Sequence, residues 1–193
     1  MKPRTVRTFL AVEMAPPIQE AYGRLHESWR AKHRGLRWVR PKNLHLTLRF
    51  FGSTPEDLLP ALREKVERVA RRGRPFRMTI GPPGCFGSNR SPRVVWLGIA
   101  DGAGELASLA RGFEEAAVEL GFEPEGRPWS AHLTLARADG GGPAPGWEED
   151  LASCGLTGLG EDVDHVSLLE SQIRPGGAVY TPLWEARLGG GEG

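Results

Sequence analysis

Three observations predict an α+β fold. Strand-like and helix-like segments are interleaved, yet the last two strand candidates meet across Pro175-Gly176-Gly177 as a hairpin rather than a crossover. The helical segments are too few to cover both faces of a doubly wound parallel sheet. A four-residue stretch, HLTL, also occurs twice, at 45–48 and at 132–135, in the matching frames RPKNLHLTL and RPWSAHLTL. The copies stand 87 residues apart, which suggests two similar lobes facing each other across a cleft.

The elements follow in order. Arg4 to Val12 alternates as a strand does. Residues 18–33 carry Ile18, Tyr22, Leu25 and Trp29 on one helical face. Leu44 to Phe51 reads as a strand closed by Gly52. Thr54-Pro55-Glu56-Asp57 opens a helix, with proline in the first turn and acids at the positive dipole end, and Gly73 closes it after Arg72. Phe76–Ile80 and Arg93–Ile99 read as strands, and GPPGCFGSNRSP between them (81–92) reads as loop. A third helix runs from Glu105 to about Leu120, stopped by Gly121, and the second HLTL strand follows Pro128. GGGP at 140–143 begins a flexible connection, and Trp147–Cys154 suits a short helix. Val163–Ile173 and Ala178–Leu188 form the closing hairpin; residues 1–188 make one bilobal domain, and the glycine-rich tail 189–193 is expected to be disordered.

With 39% hydrophobic and 25% charged residues, the composition is that of a soluble globular chain. No apolar run approaches the roughly 20 residues of a membrane helix, and the apolar stretch before Glu13 is too short for a secretion signal. Cys85 and Cys154 lack CxxC spacing and read as free thiols of a reducing cytoplasm. The net charge of +1 conceals a division, with residues 1–97 carrying +13 and residues 98–193 carrying −12. The densest basic stretch, Arg30 to Arg49, ends on the first HLTL; a cationic surface beside a site favours a polyanion, though charge runs are more often solvated faces.

On a strand, alternate side chains share a face, so the histidine and threonine of each HLTL stand together about 6.5–7 Å apart while both leucines point the other way. Folding explains the alternating leucines but not the same His-x-Thr pair written twice. Two groups that titrate near neutrality suit a general acid and a general base across one scissile bond. Two hydroxyls suit the non-bridging oxygens of a phosphoryl centre. Arg137 is a natural partner for the phosphorane charge, but it lies five residues after His132. An odd spacing turns it to the opposite face unless a bulge redirects it.

These residues resemble the two-histidine phosphoesterase superfamily, and within it the RNA 2′,3′-cyclic phosphodiesterases, historically called 2′-5′ RNA ligases. The resemblance extends over RTFLAVEMAP, RWVRPKNLHLTLRFFG, SPRVVWLGI, GRPWSAHLTLAR and IRPGGAVYTPL, nearly the whole chain. It implies two pseudo-symmetric lobes of antiparallel sheet around a central cleft, with helices outside. It also implies metal-independent hydrolysis of a terminal 2′,3′-cyclic phosphate to a 2′-phosphate. By position, His45 matches the family's proton donor and His132 its acceptor, Thr47 and Thr134 the residues that hold phosphate, and Arg137 the basic residue after the second motif. The ligase name does not imply ATP. None of the four lysines, Lys2, Lys32, Lys42 and Lys65, sits in a KxDG context, so ligation would be attack of an RNA 5′-hydroxyl on the cyclic phosphate.

No cofactor or metal is expected. HExxH is absent, and the glycines of GPPGCFG and GGGP match neither a P-loop nor a dinucleotide fingerprint. His26, His33 and His165 read as packing or surface residues. Trp38, Trp129 and Tyr180 are candidates to stack an RNA base, against a core role for most of the six tryptophans. The expected partner is RNA with a 2′,3′-cyclic phosphate end, met by a monomer away from any membrane. A phosphodiesterase for small nucleoside or ADP-ribose cyclic phosphates, and an RNA-binding module without turnover, stand as alternatives. Phosphate binding alone would be better served by arginine or lysine than by two histidines.

Overall fold

A computed structural model describes residues 4–140, 145–175 and 177–189. Among the described residues the strands are β1 (Thr5–Glu13), β2 (Leu36–Trp38), β3 (His45–Pro55), β4 (Phe76–Ser88), β5 (Ser91–Asp101), β6 (His132–Ala138), β7 (Gly160–Val163), β8 (His165–Arg174) and β9 (Gly177–Arg187). The helices are α1 (Pro16–Lys32), α2 (Leu59–Arg72), α3 (Ala103–Glu119) and α4 (Trp147–Ala152). The strands form two antiparallel sheets, one of order β3-β1-β8-β9 and one of order β2-β6-β5-β4-β7. The α+β expectation holds, and each sheet carries one HLTL strand.

The leucines of the motifs do what their alternation predicts. Leu46, Leu48, Leu133 and Leu135 are all buried, each contributing about 1.5–3 kcal/mol on the usual scale for an apolar side chain. Helix α3 packs against β3 of one sheet and β5 of the other, with α2 packed on α3 and β9. The leucine faces of both motifs join the one large core that also holds α3's Leu106, Leu109 and Phe113. Pro16 and Pro17 start α1, where missing N–H groups cost nothing, and the Ala15 N–H donates to Glu161 Oε2 at 2.8 Å.

Four expectations are corrected. The 81–92 segment is not a loop: β4 runs on to Ser88 and turns back through Ser91, because a Gly/Pro-rich strand is satisfied by pairing along β5. Val163–Ile173 is not one strand. The chain leaves the second sheet at Val163 and enters the first at His165, so Asp164 marks a change of sheet. A further strand, β2, precedes the first motif and joins the second sheet beside β6. Glu56–Leu58 is a 3-10 turn leading into α2, not its first turn. The closing hairpin forms, with Arg174 paired to Gly177. Most of GGGP and the tail beyond Gly189 lie outside the described residues. Among the described residues no helix is long and apolar enough to cross a membrane.

Candidate active site

Each motif histidine opens its strand and is fixed from behind in the same way. The His45 Nδ1 lies 2.7 Å from the Asn43 carbonyl oxygen, and the His132 Nδ1 lies 2.8 Å from that of Ser130. A carbonyl only accepts, so both Nδ1 atoms carry the proton and both Nε2 atoms are left as the basic nitrogens. The 3-10 turn Pro41–Asn43, set up by Pro41, places the first of these carbonyls.

The register of the two motif strands is matched almost residue for residue. In the first sheet Glu13 faces His45, Val12 faces Leu46 and Ala11 faces Thr47; then Leu48 is passed over, and Leu10 faces Arg49 and Phe9 faces Phe50. In the second, Gly98 faces His132, Leu97 faces Leu133 and Trp96 faces Thr134; then Leu135 is passed over, and Val95 faces Ala136 and Val94 faces Arg137. Both strands are thus bulged at the leucine after the threonine. A bulge reverses which face the following residues take. Two consecutive residues, Leu135 and Ala136, are therefore buried, and Arg137 returns to the face of His132 and Thr134. Its charge is felt by both histidines and by Tyr180.

The same inversion in β3 takes Arg49 away from the site. It is 5% exposed on the helix side, where its guanidinium lies 2.5 Å from Glu114 and 2.8 Å from Glu125 and also donates to the Glu123 and Phe50 carbonyls. Arg49 is therefore not among the cations near His45, contrary to what its place beside the motif suggests.

Burial lowers His45 from the usual 6.5 to about 4, with the charges of Arg137 and His132 adding and the Asn43 carbonyl opposing. Burial also lowers His132, again with Arg137 adding and the Ser130 carbonyl opposing. Both imidazoles are neutral at pH 7 when no anion is bound.

Aromatic rings flank both histidines. Tyr180 stands edge-on to His45 at 5.1 Å and 89°, and Phe86 stands edge-on to His132 at 5.1 Å and 83°. Phe9 lies 4.9 Å from His45, and Trp96 lies 6.2 Å from His132. Trp96 lies across Gly84, where a Cβ would stand 2.2 Å from the indole, so this glycine lets the ring lie flat on β4. Phe86 and Trp96 were not legible as site residues, since Phe86 sits in the segment read as loop.

The three stacking candidates separate. Tyr180 is at the site. Trp38 is in the core at 7% exposure, 5.2 Å from the Trp29 ring, and has no face to offer a base. Trp129 is a brace: partly buried against the core, it donates its indole N–H to the Thr47 carbonyl at 3.0 Å, joining the approach to the second motif to the strand of the first. His33 is buried and held by Asp150 at 2.6 Å, and His26 is buried on α1. His165 begins β8 and bonds to its neighbour Asp164. None of the three belongs to the site. Among the described residues no three His, Cys, Asp or Glu side chains group as a metal site requires.

Two antiparallel sheets that each present a His-x-Thr strand, with an arginine returned to the motif face of the second, are the arrangement of a two-histidine phosphoesterase. The model of the LigT-like phosphoesterases matches residues 12–96. An RNA 2′,3′-cyclic phosphodiesterase of Methanothermobacter thermautotrophicus is 32% identical over 95% of this chain and 99% of its own. A crystal structure from Thermus thermophilus superposes with a TM-score of 0.80 at 32% identity, covering 96% of this chain and 100% of the other. E. coli LigT complexed with 3′-AMP gives 0.74 at 28% identity, over 95% and 98%. The chain belongs to the LigT-like phosphoesterase family that contains the RNA 2′,3′-cyclic phosphodiesterases.

Proposed function

We propose that the protein hydrolyses RNA 2′,3′-cyclic phosphate ends to 2′-phosphates by acid–base catalysis between His45 and His132. The observation that carries this reading is the duplicated Nδ1–carbonyl bond, which leaves two equivalent Nε2 nitrogens on the faces that also carry Thr47 and Thr134. His132 Nε2 takes a proton from water, whose oxygen forms a new bond to phosphorus. The P–O3′ bond opposite breaks, and protonated His45 gives its Nε2 proton to O3′. The threonine hydroxyls donate to the non-bridging oxygens, and Arg137 offsets the charge that builds on them.

Because both histidines rest neutral, His45 must gain its proton as the anion binds. A phosphodiester carries a negative charge that offsets Arg137 and raises both imidazoles. Two histidines supply both proton transfers, so the reading requires no divalent metal. With an RNA 5′-hydroxyl in place of water, the same bond changes yield a 2′-5′ linkage without ATP. We take the protein to act as a monomer in a reducing cytoplasm, which suits its unpaired Cys85 and Cys154.

The test is incubation with RNA ending in a 2′,3′-cyclic phosphate, with EDTA present, and identification of the product. A 2′-phosphate is expected, with His45→Ala and His132→Ala each lowering turnover about 10²–10⁴-fold. A substrate whose leaving group needs no proton should rescue His45→Ala far more than His132→Ala. Rescue of His132→Ala instead would exchange the two roles, and strict dependence on added metal would end the metal-free mechanism.

A further inference from the structure

Asn43 stands just before the first motif, and both of its ends are engaged. Its carbonyl oxygen accepts from His45 Nδ1 at 2.7 Å, and its side-chain amide donates to the Ala178 carbonyl at 2.9 Å. Asn43 is 9% exposed, so the amide has little water to turn to in place of that carbonyl. Ala178 lies near the end of the β8–β9 hairpin. β1 pairs with β8 only as far as Glu170, whereas β8 and β9 pair with each other out to Arg174 and Gly177. The end of the hairpin thus runs beyond the sheet, and among the described residues the Asn43 amide is the hydrogen bond that ties it to the first motif. Two residues on, Tyr180 stands edge-on to His45 at 5.1 Å and to Phe9 at 5.0 Å. The second motif has no counterpart. Ser130, at the same offset before His132, offers its carbonyl but is itself exposed.

A histidine that donates a proton must have its ring aimed, and His45 is aimed by where the Asn43 carbonyl stands. Two things hold that carbonyl: the 3-10 turn begun by Pro41 and the bond to Ala178. We infer that Asn43 is a positioning residue for the proton donor, whose side chain docks the terminal hairpin so that one residue fixes both the His45 ring and the Tyr180 ring beside it. The docked hairpin also keeps water from His45, in line with burial as the largest cause of its lowering to about 4. The charged groups that face His45, Arg137 and His132, belong to β6 and do not travel with the hairpin. The catalytic part of this inference rests on the phosphodiesterase reading given above.

The experiment compares wild type with Asn43→Ala and with Asn43→Ser, whose hydroxyl disturbs the fold less but ends one bond short of the Ala178 carbonyl. NMR follows the titration of each imidazole in the ligand-free proteins. Loss of the tie should hydrate His45 and raise it from about 4 toward the ordinary 6.5, while His132 stays where it is. With cyclic-phosphate RNA, kcat should fall by up to about 10²-fold, the cost of a misplaced reacting group. A substrate whose leaving group needs no proton should restore it, and on a His45→Ala background neither variant should lower kcat further. A His45 titration that stays in place would overturn the inference, and so would equal movement of both histidines, the mark of general loosening. A kcat that is unchanged, or that falls alike for both substrates, would leave Asn43 a structural residue only. The wild type supplies a check that needs no variant: a coupling across the hydrogen bond between Asn43 Nδ2 and the Ala178 carbonyl carbon, whose absence would remove the tie itself. A wild type that fails to hydrolyse the RNA, while His45 still moves in the variants, faults the reaction and not the docking of the hairpin.

Discussion

His45 and His132 are the same side chain in the same local frame, and burial makes them unequal. His45 is lowered to about 4 and His132 also falls below the usual imidazole value. A histidine lowered in the fold stays neutral until the pH drops through its own shifted value, so the free protein holds a single proton on the pair only in mildly acidic solution. The kcat/KM profile reports the free protein, and it should be a bell with its maximum between about pH 4 and 6.5, its limbs belonging to the coupled pair. The kcat profile reports the complex, where the bound anion raises both groups, so its maximum should lie at higher pH. Arg137→Ala removes a cation that lowers both imidazoles and should move the kcat/KM maximum upward. A maximum above pH 7, or a profile that Arg137→Ala leaves in place, would refute this account of the two groups. On the proposed mechanism, the motif names the residues that carry the protons. It did not declare their resting charge, which depends on burial by strands distant in sequence and on a guanidinium that the spacing seemed to exclude.

At the scale of the element, the bulges decide which side chains reach the site. HLTL was legible because strand alternation is local. The reversal after it was not, because a bulge exists only relative to a neighbouring strand. Arg137 therefore reaches the face that its odd spacing from His132 seemed to deny it, and Arg49 is turned away from His45. The hairpin carrying Phe86 was hidden for a related reason, since Gly and Pro signal turns locally while pairing along β5 overrides them. The bulge in β6 has an identifiable support. The carbonyl of the passed-over Leu135 accepts from the Val39 N–H at 2.8 Å and lies 3.2 Å from the hydroxyl of Tyr22, which donates to the Val39 carbonyl at 2.8 Å. Tyr22 is fully buried on α1 and touches no catalytic side chain, so it is a positioning residue. Tyr22→Phe should cost about 1–3 kcal/mol of stability, as a buried carbonyl loses a donor. It should also lower kcat/KM by loosening Arg137, and on an Arg137→Ala background it should lower kcat/KM no further. Fully additive effects in that double-mutant cycle would reduce Tyr22 to a purely structural role.

At the scale of the whole molecule, the charge division of the sequence acquires a different meaning. The basic first half and acidic second half are not separate bodies, since β8 and β9 complete the sheet begun by β1 and β3, and β2 extends the other. Folding sets the two halves against each other. Lys32 meets Asp150 at 2.7 Å, Arg37 meets Asp139 at 3.8 Å and Arg77 meets Asp162 at 2.7 Å; Lys65 pairs with Glu119, and Arg49 with Glu114 and Glu125. Arg30 is taken by Glu27 within its own helix at 3.7 Å. The stretch from Arg30 to Arg49, which as sequence favoured a polyanion track, thus spends much of its charge on intramolecular acids. Each cation freed to neutralise an RNA phosphate contributes about −0.7 to the slope of log K against log salt on a single strand. On the proposed function, the reacting phosphate at Arg137 accounts for one such contact. A cyclic-phosphate oligonucleotide should therefore show a slope of about −0.7 to −1.4, close to that of a cyclic mononucleotide, between 50 and 200 mM salt. A slope several-fold steeper for the oligonucleotide alone would show that the paired cations release their acids to RNA, and would restore the basic face as a binding track.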